Sequence, residues 1–362
     1  MNKPIVTVLI DTYNYGHFIG EAIESVLSQD FPMERMEILV VDDGSTDDTA
    51  QRMEKYGDRI RYLPKPNGGQ ASAFNFGVGH SRGEIVAFLD ADDYWLPGKL
   101  RRILQEFETN PAAGMVHHRL QELDTRTGGL RNGIFTALSG NVATSRKSIL
   151  SFNPTATSSL AFRRWVLEKI LPIPEAVTIQ ADGYIQALAP FLAPIAAIDE
   201  VLAVYRFHGS NLYFLSQTEK DKETRGRRAL TLRAIVEGLE EWFRSHGYEV
   251  AQPVVRATVS RWTTLLEREE FAITPPGRIR FFQHLLKCHR NHLPLMTWRL
   301  RMINYFNAVG ALIIGYERFP SLDKKREKVT RWLRGGGRTP LPIIPTGRPA
   351  DDVGGDEDKR RE

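Results

Sequence analysis

Three short apolar runs in the first hundred residues each end abruptly in carboxylates, and this pattern constrains the fold more than any other feature of the chain. Ile5 to Ile10 stops at Asp11-Thr12-Tyr13-Asn14, Ile38 to Val41 at Asp42-Asp43-Gly44, and Ile85 to Leu89 at Asp90-Ala91-Asp92-Asp93. Apolar runs of this length, broken only by Thr7 in the first, suit strands buried on both faces, as in a parallel sheet. Residues that follow such strands emerge at the ligand-binding edge of an open α/β sheet. Between the first two runs, Phe18, Ile19, Ala22, Ile23, Val26 and Leu27 recur at helical spacing and complete a β-α-β unit. The chain is therefore predicted to be α/β, a mostly parallel sheet flanked by helices, with acids gathered at one sheet edge.

Asp90, Asp92 and Asp93 crowd three anionic groups into four positions, so something must offset their repulsion. A hard divalent cation with phosphate oxygens on its far side does so, which points to a nucleotide diphosphate. Taken alone, the segment also reads as a solvated acidic turn in which an Asp caps the helix before Pro97. After the second run, Ser45 or Thr46 is placed to cap the following helix, with Asp47 and Asp48 in its first turn. Asn67-Gly68-Gly69 enters a third helix whose first N–H groups could face phosphate. No G-x-G-x-x-G follows the first strand and no G-x-x-x-x-G-K-[ST] occurs, which disfavours nicotinamide-dependent dehydrogenases and P-loop NTPases. A helix is expected from Lys99 to Glu108 and a strand from Met115 to Leu123.

In order, Thr12-Tyr13-Asn14, Glu21 to Gln29, Val40 to Asp47, Asn67-Gly68-Gly69 through Gly77, and Gly83 through Asp93 resemble the family 2 glycosyltransferases of the GT-A fold. The resemblance covers roughly residues 4 to 214. It implies an inverting transfer, dependent on magnesium or manganese, of a sugar from a nucleotide-diphosphate donor. UDP-sugar is the donor chosen, and the acceptor is a hydroxyl of a glycan or lipid-linked molecule, as in cell-surface polysaccharide synthesis. It further implies that Asp43 reads the nucleotide base, with Thr12 and Tyr13 beside it, and that Gln70 lies near the nucleotide. Asp92 falls on the diphosphate and metal carboxylate, flanked by Asp90 and Asp93, and the direct ligand among the three is left open.

The later segments extend the resemblance. Pro154 to Ile170 resembles a turn, strand and helix in which Ser159 stands where Gly is common. Gln180-Ala181-Asp182-Gly183-Tyr184 falls where the family carries its general base, with Ala181 in place of the usual Glu. Asp182 is the acid chosen for that role, its other reading being a helix cap. Val204 to Asn211 resembles the closing block, in which Arg206 would offset phosphate charge and His208 would be a metal or phosphate ligand. His117 and His118 are read as strand residues. The alternative function is a non-catalytic nucleotide-sugar-binding or scaffolding protein on the same fold.

The plan that follows assigns residues 1–105 to a nucleotide-sugar-binding half, 106–214 to an acceptor half and 215–334 to a helical region, with a disordered tail over 335–362. Leu230, Leu232, Ile235, Val236, Leu239 and Trp242 recur at helical spacing, whereas the chain from Gly335 is rich in Gly, Pro and charge. A hydrophobic content of 42% in 362 residues suffices for such a core. The net charge of +4 is modest and no recognition-helix motif is present, so nucleic acid is not an expected partner. Cys288 is the sole cysteine, which excludes an intrachain disulfide and fits a reducing compartment. Ile5 to Ile10 is too short for a secretory signal. Met302 to Tyr316 is uncharged but, at fifteen residues, too short to span a bilayer. The basic stretch after it, from Arg318 to Arg338, suits docking on an anionic membrane face, the other reading being a buried helix with a solvated successor. The expected location is the cytoplasm, with peripheral contact at the inner membrane face.

Overall fold

The computed structural model describes residues 4–133, 135–209, 211, 222–292, 302, 308 and 309. The first half contains β1 (Val6–Thr12), α1 (Gly16–Leu27), β2 (Met36–Asp42), α2 (Thr49–Met53), β3 (Arg61–Pro64), α3 (Gly69–His80) and β4 (Ile85–Asp90). It continues through β5 (Tyr94–Trp95), α4 (Lys99–Thr109), β6 (Met115–Asp124), β7 (Gly129–Asn132), α5 (Arg146–Ser151), β8 (Leu160–Arg163), α6 (Arg164–Ile170), α7 (Ala181–Leu192) and β9 (Ile195–Phe207). Three long helices follow, α8 (Lys222–Ser245), α9 (Pro253–Ile273) and α10 (Arg278–His292).

The strands form one sheet in the order β3-β2-β1-β4-β8-β6-β9-β5, with β7 paired to β6. From β3 to β4 every pairing is parallel, as the acid-tipped runs predict. Beyond β4 the sheet is mixed: β8 lies antiparallel to β4 and β6, β6 and β9 are parallel, β5 lies antiparallel to β9, and β7 lies antiparallel to β6. Asp11 is in register with Val41 on one side and Asp90 on the other, and Thr12 with Asp42. The carboxylates therefore meet at one sheet edge because the strands carrying them are neighbours in equal register.

Alternation along each strand splits its side chains between two cores. Leu9, Leu39, Val41 and Phe88 face the layer built from α3, α6, α7, α8 and α9. Val8, Ile10, Ile38, Val40, Ala87 and Leu89 face α1 and α4. Each fully buried aliphatic side chain contributes about 1.5–3 kcal/mol, so both faces of the central strands are strongly fixed. In α3, Gly77 permits close approach to the sheet, since a Cβ there would lie 2.6 Å from Leu9 Cδ1. α9 reaches the first turn of α7 through Trp262, whose ring would sit 2.6 Å from a Cβ at Gly183. Trp242 of α8 donates its indole N–H to the Lys169 carbonyl at 3.0 Å.

Ser45 and Thr46 do not cap the helix after β2. That helix begins at Thr49, whose N–H donates to Asp47 Oδ1 at 3.0 Å. Ser45 Oγ instead accepts the Asn14 N–H at 2.8 Å, and the Thr46 N–H donates to Asn14 Oδ1 at 2.7 Å. A tie between the loops after β1 and β2 thus claims both residues. The expected tail from Gly335, the basic stretch before it and nearly all of Met302 to Tyr316 lie outside the described residues. Among the described residues, no helix is long and apolar enough to cross a membrane.

Candidate functional site

The acidic centre is built by the turn after β4. The Asp93 N–H donates to the Asp90 carbonyl at 3.0 Å, which folds the chain back so that ligand oxygens of Asp90, Asp92 and Asp93 all lie within 4.8 Å of one another. Asp93 is fully buried and accepts from Ser158 Oγ at 2.6 Å and from the Arg206 N–H at 2.9 Å. Asp92 Oδ2 lies 3.0 Å from His208 Nε2 and accepts from Asn211 Nδ2 at 3.1 Å. Burial, and next the charge of Asp11, hold the Asp90 carboxyl well above the usual range. Burial and the charge of Asp92 do the same to Asp93.

Asp11 belongs to this cluster, although the sequence marks it only as the end of a strand. Burial and the neighbouring Asp92 push its carboxyl up to about 7. Asp11 Oδ1 and Thr12 Oγ1 are buried without a hydrogen-bond partner. Asp90, Asp92 and Asp93 form an all-oxygen donor set that fits a hard divalent cation, and the orphaned Asp11 oxygen belongs to a strand end in register with Asp90. The signal was available: Asp11 lies at the end of its strand much as Asp42 and Asp90 end theirs.

Arg206 is committed beneath these acids. Its Nε donates to the Asp92 carbonyl, Nη1 to Glu21 and Nη2 to the Asp93 carbonyl at 3.4 Å. The guanidinium also lies over the rings of Phe18, at 4.8 Å, and Tyr94, at 5.2 Å. The cation that the sequence set against phosphate therefore pins the acidic loop from behind. His208 packs against Phe18 and Tyr15, with ring centroids 4.5 and 5.6 Å away. Lys99, which no sequence pattern marked, is fully buried, donates to the Ser158 carbonyl at 2.5 Å and sits 4.0 Å over the Trp95 ring. Burial lowers its pKa well below the ordinary lysine value. His117 and His118 lie buried on β6, as expected of strand residues, and burial lowers His117 to about 4.

At the neighbouring strand end, Asp43 is buried and accepts from Lys65 Nζ at 2.5 Å, the Gly68 N–H at 3.0 Å and the Gly69 N–H at 2.7 Å. The amides that open α3, expected to face phosphate, are thus taken by a carboxylate of the protein itself. The Asp43 N–H donates to the Thr12 carbonyl at 2.9 Å, while Tyr13 remains exposed. Gln70 turns toward α7, where its Oε1 accepts the Ala181 N–H at 3.0 Å.

Asp182 occupies the first turn of α7 and is not its cap; that position belongs to Gln180, in the left-handed region at φ 63°. Burial raises the Asp182 carboxyl to about 6, outweighing donation from the Gly183 N–H and from Thr157. Its charge in turn raises Asp11 and Asp90. The fold therefore brings Asp11, Asp90, Asp92, Asp93, His208 and Asp182 into one neighbourhood, with Thr12, Tyr13 and Asp43 at the adjoining strand ends. Such a site can bind a cation, hold an anionic group against it and accept a proton at Asp182.

Residues 7–170 match the family described as glycosyl transferase family 2. An uncharacterized glycosyltransferase of Nostoc sp. is 39% identical over 222 residues, covering 57% of this chain and 66% of that protein, so the chain spans just short of two thirds of that relative's length. Among solved structures, residues 1–349 of S. aureus TarS in complex with UDP-GlcNAc align with a TM-score of 0.58 and 17% identity, over 88% of this chain and 91% of that one. The mannosyltransferase PcManGT from Pyrobaculum calidifontis, in complex with GDP-Man and Mn2+, aligns with a TM-score of 0.51 and 19% identity, over 93% and 89%. These two likenesses establish a shared GT-A fold.

Proposed function

Through residues 7–170 the chain belongs to glycosyl transferase family 2, and we propose that it is an inverting transferase that moves a sugar from a UDP-sugar to a hydroxyl of a glycan or lipid-linked acceptor. The observation that carries this reading is the juxtaposition of a buried all-oxygen cluster, Asp11 with Asp90, Asp92 and Asp93, with a separate carboxyl, Asp182, held at about 6. A general base works best when its pKa lies near the operating pH, and Asp182 meets that condition. In the transfer, the acceptor oxygen bonds to the anomeric carbon, its proton passes to Asp182, and the bond from that carbon to the diphosphate oxygen breaks.

Asp92, with Asp90, Asp93 and His208 around it, would hold magnesium or manganese, which supplies charge stabilisation for the departing diphosphate. Asp43 reads the base, with Thr12 and Tyr13 beside it, and Lys65 and the Gly68 and Gly69 amides fix its carboxylate for that contact. Arg206 keeps the acidic loop in place and so acts on phosphate charge only through that loop. The nucleotide sugars bound by TarS and PcManGT, and the Mn2+ of PcManGT, support the donor class and the metal. A role in polysaccharide synthesis at the inner membrane face completes the reading.

Thermal unfolding with UDP and manganese tests it. A ligand that binds only the folded state adds RT ln(1 + [L]/Kd), about 2.7 kcal/mol at a hundredfold excess over Kd. Asp92→Asn should remove most of the metal-dependent part of the shift. A variant whose metal-dependent shift equals that of the wild type refutes the assignment of the acidic centre.

A further inference from the structure

The side-chain carbonyl of Gln70 accepts the N–H of Ala181, the first residue of α7 and the neighbour of Asp182, at 3.0 Å. Because Ala181 offers a donor, the oxygen of the Gln70 amide must face it, so the side chain is fixed in one orientation. Two backbone bonds run beside this contact, from the Gln70 N–H to the Thr178 carbonyl at 3.0 Å and from the Ala71 N–H to the Val177 carbonyl at 3.3 Å. Gly69, at φ +82°, lies so close to the same segment that a Cβ would stand 2.8 Å from Thr178 Cα. Further along α3, Asn75 exchanges two hydrogen bonds of 2.8 Å with the backbone of Ile173. The preceding amides, of Gly68 and Gly69, belong to Asp43. One helix end thus carries the Asp43 carboxylate on one side and the turn that bears Asp182 on the other.

We propose that Gln70 is a positioning residue for Asp182: its carbonyl fastens the first turn of α7 to the start of α3, so that the nucleotide-reading end of the site and the proton-accepting carboxyl are held as one body. The inference rests on the reading of Asp182 as the general base. The first amides of a helix have no partner within it, and the Ala181 N–H is one of these, so removing the acceptor frees the turn at the point next to the base. Displacement of a catalytic group by about 1 Å costs about a hundredfold in rate, which sets the scale of the expected effect.

The test uses the full chain with Gln70→Met, which keeps length and loses the acceptor, Gln70→Asn, which is one methylene short, and Gln70→Glu, which retains an acceptor. Hydrogen exchange followed by mass spectrometry should show faster exchange in the peptide spanning residues 178–184 for Met and Asn, and near wild-type exchange for Glu. UDP release from UDP-glucose and UDP-N-acetylglucosamine with manganese and water as acceptor should fall about ten- to a hundredfold for Met, with the Kd for UDP within about twofold of wild type. In the Asp182→Asn background, Gln70→Met should cause no further loss, because its effect passes through the base. Unchanged exchange in residues 178–184, a Kd for UDP weakened about tenfold with kcat retained, or additive losses in the double variant would each overturn the proposal. If Asp182→Asn loses turnover while Gln70→Met keeps it, this inference falls and the base assignment stands; if Asp182→Asn keeps turnover, both fall.

Discussion

Replacing Asp182 by asparagine should make the protein more stable and less active at once, and the structure sets the size of the first effect. Burial raises the Asp182 carboxyl from 3.8 to about 6. A folded-state pKa above the unfolded value means that the folded chain holds its proton more tightly, so this residue favours folding at low pH. As pH rises through 3.8 the unfolded chain releases the proton first, and stability declines until the folded carboxyl ionises near 6. At about 1.4 kcal/mol per pKa unit, the ionised Asp182 costs the fold up to about 3 kcal/mol at pH 7 and above. The amide introduced by Asp182→Asn is nearly isosteric and carries no charge, so the variant's advantage should be about half developed near pH 5 and complete by about pH 7. Urea unfolding of both proteins at a series of pH values, with chelator present, measures the difference directly. In parallel, turnover of a UDP-sugar should fall by roughly 10²- to 10⁴-fold, the usual worth of a general base. A stability difference that is flat across this pH range, or one that favours the wild type increasingly as pH rises, would refute the burial argument. Retained turnover would remove Asp182 from the chemistry.

Two further outcomes follow from the acidic centre. Manganese affinity measured by calorimetry should strengthen from about pH 6 to pH 8 with release of protons to the buffer, because Asp90 and Asp93 are held well above the usual range and Asp11 at about 7, and all must ionise to ligate or face the cation; an affinity independent of pH contradicts this. Ser158→Ala removes the hydroxyl that donates to Asp93 and accepts the Asp90 N–H, and should cost about 1–3 kcal/mol in urea unfolding, the usual penalty for stranding buried polar partners; a loss below about 0.5 kcal/mol would show that the network is idle.

The parts of the fold legible in the sequence are those whose signal is local. Each acid-tipped run carries its own evidence, since an apolar stretch of this kind demands burial on both faces and the carboxylates mark where it ends. Parallel neighbours in matching register then bring Asp11, Asp42 and Asp90 to one edge. The far half of the sheet was less legible because β5, with only Tyr94 and Trp95, and the short strands β7 and β8 have too few residues to display a period. Residue roles failed to show where the partner lies far along the chain. Arg206 meets Glu21 across 185 positions, and Gln70 meets Ala181 across 111. Each has side-chain chemistry equally suited to phosphate or nucleotide, so only the three-dimensional arrangement decides which partner is met. Lys99 was invisible for a different reason, because a lysine opening an amphipathic helix reads as a solvated charge, whereas this one donates inward to the Ser158 carbonyl.

Burial and the distribution of charge around the site explain why its Asp11, Asp90, Asp93 and Asp182 carboxyls are all raised. Arg206 and Lys99 are both committed to backbone carbonyls, one holding those of Asp92 and Asp93 and the other that of Ser158. Asp11 and Asp90 respond chiefly to burial and to the charges of neighbouring carboxylates, which raise both. Asp182 feels burial first, is offset by hydrogen bonds from Gly183 and Thr157, and settles at about 6. Positive charge brought among Asp90, Asp92 and Asp93 would lower every one of these carboxyls, Asp182 included, since an opposite charge within a few ångströms favours the ionised form. The proposed base would then be most fully ionised when a cation occupies the cluster, and least so when none does. On the proposed reading, one cluster of acids would then serve both ends of the reaction, Asp92 holding the cation that meets the diphosphate while Asp182 stands on a separate helix, tied through Gln70 to the same α3 terminus that holds Asp43.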